Sequence, residues 1–203
     1  MEALFERVFV ETTVDTDQDG QYDLIAVYIK RPKLDEKVPA VFVANPYMLH
    51  CNEDWYDLYD VNTNIQAYPS QNIQREDITF HPKDPVVCPK KEAEQIVESS
   101  PYPEPDSSAY ECISDLYDHL LERGYAGVFS CGLGTRGSDG LTITGSEEEI
   151  LAFKSVIDWL NGRARAFRDK TRTVQVLASW CTGSVAMSAR SYLGTMCIGV
   201  AAT

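Results

Sequence analysis

The stretch VAMSARSYLGT, residues 185–195, sets the reading of the whole chain. An apolar, strand-like run leads into a lone serine, Ser191, between small residues, and then into what reads as the start of a helix. A serine on a sharp strand-to-helix turn is how a nucleophile is presented at the end of a sheet, and its flanks must be small because strand and helix nearly touch there. Ala189 stands two positions before Ser191, Leu193 two positions after, and Gly194 one further on. Against the generic G-x-S-x-G pattern this is a poor match, and by its letters alone the serine reads as a helix cap. The order of elements around it shifts the reading to a nucleophile. The other serines compete less well: Ser184 reads as a turn, Ser179 lies beside Trp180 in an extended piece, and Ser138 and Ser146 sit in loop and cap contexts.

Residues 4–14 and 22–30 are rich in β-branched and aromatic residues, and DTDQDG, Asp15 to Gly20, separates them, which predicts an antiparallel hairpin. The hexapeptide also resembles the start of a calcium-binding EF-hand loop. That motif needs a glutamate at its twelfth position, here Ala26, and helical flanks, so a hairpin turn is expected. PAVFVAN, residues 39–45, reads as a strand covered on both faces. Residues 48–107 show no lasting periodicity and read as an insertion or lid, with EAEQIVESS as a short helical piece. Ser108 and Glu111 then form a capping box ahead of a helical face that Gly124 ends. YAGVFSC, residues 125–131, is a second buried strand, and GLGTRGSDG is a glycine-rich loop at its end. Ser146 and Glu149 open a second helix, closed by Asn161-Gly162. RARAFRDK reads as a basic connector, VQVLASW as a short extended piece, and VAMS as the last strand. Strands alternating with helices imply a mostly parallel sheet. A mostly parallel sheet entered by an antiparallel hairpin, with a serine at a strand-to-helix turn, is the opening half of an α/β-hydrolase. The expectation is one partial catalytic domain over residues 1–203, truncated after that turn.

Composition narrows the function classes. The 203 residues are 44% hydrophobic and 24% charged, as in a globular domain, and the net charge of −13 argues against nucleic-acid and anionic-membrane partners. No apolar run approaches the roughly 20 residues of a membrane span. The start, MEALFERVFVETT, carries acids where a signal peptide carries bases. The six cysteines include no C-x-x-C pair and are expected to be buried and reduced in a cytoplasmic protein. Histidines and carboxylates do not fall at metal-ligand spacing, and GLGTRG lacks both G-x-G-x-x-G spacing and a P-loop Lys-Ser pair. No metal or other cofactor is therefore expected.

WLNGRARAF followed by ASWCTGSVAMSARSYLGT resembles the X-prolyl dipeptidyl aminopeptidases, α/β-hydrolase serine peptidases grouped with acylases and esterases. The family's nucleophile segment reads like G-K-S-Y-L-G-T, which Ser191-Tyr192-Leu193-Gly194-Thr195 matches in its second part. GLGTRGSDG, the TGS-EE helix start, VIDWLNGR and the D-x-D-x-D-G turn also match in order and spacing. Ala189 and Arg190 depart from it, standing where the family has glycine and usually lysine. The resemblance implies a peptidase that releases N-terminal Xaa-Pro dipeptides, its substrate a peptide with proline second. Ser191 would be the nucleophile of an acyl-enzyme, and the Tyr192 backbone N–H and the Tyr47 hydroxyl the oxyanion donors. The full-length enzyme would be a homodimer. The alternatives are an esterase or acylase of the same superfamily, or a non-catalytic truncated remnant.

In this fold the triad runs Ser, then Asp, then His along the chain. The histidines, His50, His81 and His119, all precede Ser191, and no acidic residue follows it. The expectation is that the Asp and His are encoded downstream of Thr203. The nucleophile strand would then lie at a sheet edge, an aggregation hazard, and the isolated chain would be poorly soluble or marginally folded.

Overall fold

The computed structural model describes residues 2–46, 74, 87–103, 115–135 and 137–203. Eight strands make one sheet: β1 (Ala3–Glu11), β2 (Leu24–Pro32), β3 (Val38–Asn45), β4 (Gln95–Val97), β5 (Ala126–Cys131), β6 (Ala166–Phe167), β7 (Val174–Val176) and β8 (Cys181–Met187). Three helices are described, α1 (Asp115–Leu121), α2 (Glu147–Leu160) and α3 (Tyr192–Ala202). The spatial order is β4-β7-β6-β1-β2-β5-β3-β8. The hairpin β1–β2 is antiparallel in unbroken register from Ala3–Pro32 to Glu11–Leu24, as expected.

The sheet is mixed, which corrects the mostly parallel expectation. It is parallel among β5, β3 and β8, where helices intervene, and again between β4 and β7. It is antiparallel from β5 through β2, β1 and β6 to β7. The extra antiparallel share comes from short strands in segments read as connectors. RARAFRDK contains β6, and VQVLASW contains β7.

EAEQIVESS is not helical. Its centre is β4, held by the Glu94 and Gln95 amides on the Thr173 carbonyl and by the Leu177 amide on the Val97 carbonyl. Pairing with a distant strand overrides the helix preference of Glu, Ala and Gln. Residues 100–102 also bond β1, through Arg7 N–H to the Ser100 carbonyl and Tyr102 N–H to the Phe5 carbonyl. The described end of the 48–107 segment is thus part of the sheet, and most of the rest of it lies outside the described residues. Ser108 and Glu111 also lie outside them.

Ser184 lies inside β8 and not in a turn, while Ser179 lies in a turn and not in an extended piece. The turn-like letters have a physical cause. Val38 pairs with Cys181 but Ala40 with Val185, so β8 carries extra residues through a bulge that contains Gly183 at φ +87°.

Period-two alternation splits the sheet into two apolar faces. Val8, Val10, Ile25, Val27, Ala40, Phe42, Ala126 and Val128 face α2 and α3. Leu24, Ala26, Val41, Val43, Phe129 and Cys131 form the opposite face, on which Leu120 of α1 packs. Four described cysteines are free thiols, with Cys88, Cys131 and Cys181 buried; burial pushes the Cys181 thiol up.

Helices α2 and α3 meet at Gly199, where a Cβ would stand 2.8 Å from Ile150 Cδ1 and 3.1 Å from its Cγ1. Gly199→Ala needs only the tip of Ile150 to swing and is expected to be close to neutral. Gly199→Val brings two more carbons into the same contact and is expected to cost about 1–3 kcal/mol. Chemical unfolding of the two variants side by side checks the contrast.

Candidate active site

β8 ends against the C-terminal half of β3. Phe42 pairs with Met187, and the Ser188 amide donates to the Phe42 carbonyl at 3.2 Å. The chain then crosses Ala189 and Arg190 and turns into α3 at Ser191, whose backbone sits at φ +56°, ψ −133°. A non-glycine residue in that region is strained by its Cβ. Ser191 holds the cap position of α3 yet makes no side-chain capping hydrogen bond, and it is exposed. A cap serine has an extended backbone and spends its hydroxyl on the helix. Ser146 does this at α2, with φ −81°, ψ 164° and its Oγ accepting from Glu149 N–H at 3.1 Å. The two serines start helices in opposite ways, and of the two only Ser191 combines a positive φ with a side chain that makes no capping bond.

Gly194 faces Ala189 across the turn, and a Cβ on it would stand 3.6 Å from the Ala189 carbonyl oxygen, in ordinary van der Waals contact. Leu193 is partly buried and packs on the face carrying Val41, Val43 and Phe129. Met196 and Val200 anchor α3 on the other face.

Around the turn stand the ends of the neighbouring parallel strands. Asn45 ends β3 and Pro46 follows it, and a Cβ on Gly132, just after β5, would stand 3.0 Å from Pro46 Cα, so the two chain ends pass in contact. Tyr47 lies outside the described residues. The loop after β5 is hung on the hairpin. The Ala26 amide donates to Ser138 Oγ at 3.0 Å, the Asp139 amide to the Leu24 carbonyl at 2.7 Å, and the Leu141 amide to Thr16 Oγ1 at 2.8 Å. Asp23 Oδ2 accepts from both the Thr16 amide and hydroxyl, and burial pushes the Asp23 carboxyl above its ordinary range despite those bonds. In the same turn the carboxylates of Asp15, Asp17 and Asp19 lie within 4.8 Å of one another. They accept the turn's own amides: Asp15 from Asp19 and Gly20, Asp17 from Asp19, and Asp19 from Gln21. The flanks are strands, as the hairpin reading requires.

A contact that the residue order did not reveal is made by Glu149. The capping box predicts that its side chain returns to the Ser146 amide. Instead Glu149 Oε2 accepts from the Gly145 amide at 2.9 Å and from the Tyr192 hydroxyl at 2.7 Å. Half of the box is present, and its other half reaches across to α3.

His119 is exposed on α1, which leads into the N-terminal end of β5. Ser191 follows the C-terminal end of β8, and β5, β3 and β8 run parallel. His119 therefore lies at the opposite end of the sheet from Ser191 and cannot serve as its base. His50 and His81 lie outside the described residues.

A sequence model of the X-Pro dipeptidyl-peptidase (S15 family) matches residues 19–203. The chain belongs to this family. It is 41% identical over 200 residues to a Xaa-Pro dipeptidyl-peptidase of Streptococcus pneumoniae strain ATCC 700669 / Spain 23F-1, and 42% identical over 200 residues to that of strain P1031. Each match covers 98% of this chain and 25% of the relative, so the chain spans about a quarter of the length of these S15 relatives. Among solved structures, a CocE/NonD family hydrolase from Staphylococcus aureus matches with a TM-score of 0.47 at 18% identity, over 99% of this chain and 28% of that one. Among the described residues no helix is long and apolar enough to cross a membrane.

Proposed function

We propose that this S15-family chain supplies the nucleophile of a serine exopeptidase that releases Xaa-Pro dipeptides from peptide N-termini. The observation that carries the reading is the backbone of Ser191, at φ +56°, ψ −133°, with its hydroxyl withheld from helix capping. Ser191 Oγ attacks the carbonyl carbon after proline, a histidine accepts the hydroxyl proton, and the tetrahedral oxyanion collapses with loss of the amine, which takes that proton. Water then attacks the acyl-enzyme by the reverse proton path, releasing the dipeptide and restoring the serine. The Tyr192 backbone N–H and the Tyr47 hydroxyl hold the oxyanion. The histidine and its orienting aspartate come from the part of the family's length that residues 1–203 do not span.

The test is cleavage of Gly-Pro-p-nitroanilide by the full-length gene product, beside a simple acyl ester and beside Ser191→Ala. Cleavage of the anilide, lost by about 1,000-fold or more in the alanine variant, is the expected result. An enzyme that cleaves the ester and leaves the anilide intact is an esterase instead. Activity retained in the variant places the nucleophile elsewhere.

A further inference from the structure

Three groups meet behind the serine turn: Gly145, just before the Ser146 cap of α2, Glu149 in the first turn of α2, and Tyr192, the first residue of α3 and distant in sequence from both. Glu149 is 2% exposed, and among the described residues no lysine or arginine pairs with it. A carboxylate held out of water without a counter-ion depends on hydrogen bonds. Its Oε2 receives the Gly145 amide at 2.9 Å and the Tyr192 hydroxyl at 2.7 Å. The helix turn that carries the carboxylate is anchored. The Glu149 amide is capped by Ser146, and α2 is seated in the core through Ala152, Phe153, Val156 and Trp159. Gly145 sits at φ +75°, and a Cβ there would stand 3.5 Å from the Tyr192 hydroxyl. The acceptor thus holds the loop and the tyrosine at one point.

We infer that Glu149 is a positioning residue for the serine turn: through the Tyr192 hydroxyl it fixes the first residue of α3, and with it the backbone amide next to Ser191. The inference rests on the proposed catalytic role of Ser191. The tyrosine side chain is a lever with one end on a buried carboxylate and the other on the peptide unit that stabilises the oxyanion. A donor displaced by a fraction of an ångström weakens its bond to the transition state more than to the ground state. The effect is therefore expected in kcat, with KM little changed.

The experiment compares Tyr192→Phe, Glu149→Ala, Glu149→Gln and the double variant Tyr192→Phe/Glu149→Ala in the full-length gene product. The readouts are kcat and KM for Gly-Pro-p-nitroanilide, the rate of Ser191 labelling by a fluorophosphonate, and the thermal midpoint. Tyr192→Phe and Glu149→Ala are each expected to lower kcat about 10- to 100-fold. Glu149→Gln, which keeps an oxygen for the tyrosine, recovers most of that loss. The double variant is no slower than the worse single one, because both act along one path. Tyr192→Phe removes a single oxygen, so it reports even where Glu149→Ala does not fold. Losses of thermal midpoint with kcat per labelled serine unchanged overturn the inference, and so do losses that multiply in the double variant. An unsubstituted protein that neither cleaves the anilide nor labels at Ser191 overturns the catalytic reading and the inference together. Normal kcat in variants whose Ser191 still labels overturns the positioning role alone.

Discussion

Ser191→Gly is expected to abolish turnover and, at the same time, to make the protein more stable. At φ +56°, ψ −133° the serine Cβ crowds its own backbone, while glycine occupies that region without this penalty. Strain of this kind costs about 1–3 kcal/mol and glycine's greater unfolded-state entropy takes back about 0.4–1 kcal/mol, so the net gain is expected to lie between zero and about 2.5 kcal/mol. Ser191→Ala loses the same nucleophile but keeps the Cβ, so it loses activity without the gain. The pair separates chemistry from strain, because both variants lack Oγ and differ by one methyl group. Denaturant unfolding of the two variants measures the difference directly. A glycine variant less stable than the alanine variant would mean that the turn is relaxed in solution. A glycine variant that keeps its activity would remove Ser191 from the mechanism. The expected outcome is a stability–activity trade-off located in one residue.

The largest loss of stability is expected from Glu11→Ala. Glu11 ends β1, and its side chain is 6% exposed. Its two oxygens receive Arg165 Nε and a terminal Arg165 nitrogen, each at 2.8 Å, and Arg172 at 3.0 Å. The arginines are committed elsewhere too, Arg165 to the Lys91 carbonyl at 2.7 Å and Arg172 to the Tyr22 carbonyl at 2.6 Å. One carboxylate therefore ties together the hairpin, the segment before β4 and the stretch from α2 to β7. Removing it leaves two guanidinium groups with side chains 18% and 9% exposed and no opposing charge. Breaking a buried pair in this way costs about 3–5 kcal/mol, far more than the pair contributes relative to a well-packed apolar set. Glu11→Gln retains the shape and is expected to lose less. Urea unfolding of the two variants checks the order. A loss below about 1 kcal/mol for Glu11→Ala would show that water reaches both guanidinium groups.

Legibility of the fold followed the range of the interactions. The hairpin, β3, β5 and α2 were readable because each is written in a local pattern: β-branched and aromatic runs around a turn for the hairpin, short continuous apolar runs for β3 and β5, and apolar residues every third or fourth position for α2, with Gly20, Gly124 and Gly162 in left-handed backbone beside them. β4, β6 and β7 were not, because strands of two or three residues have no period to display and exist only through their partners. The bulge in β8 misled for a related reason. T-G-S carries turn letters, and only the register against β3 makes it strand.

The sequence by itself determined the class of the protein and singled out Ser191 as the candidate nucleophile: strands alternating with helices, entered by a hairpin, with a serine where strand becomes helix. The peptide geometry of that serine was not written there, since Ser146 and Ser191 both precede helices and differ only in backbone conformation. Tertiary structure decided which serine is strained: Ser191 stands at φ +56° while Ser146 stands at φ −81°. It also decided that His119 lies at the opposite end of the sheet from Ser191. The Glu149–Tyr192 contact spans 43 residues of chain. Residue patterning reports what lies within a few positions along a helix or strand, and long-range contacts such as this one arise only once the sheet has brought α2 and α3 side by side.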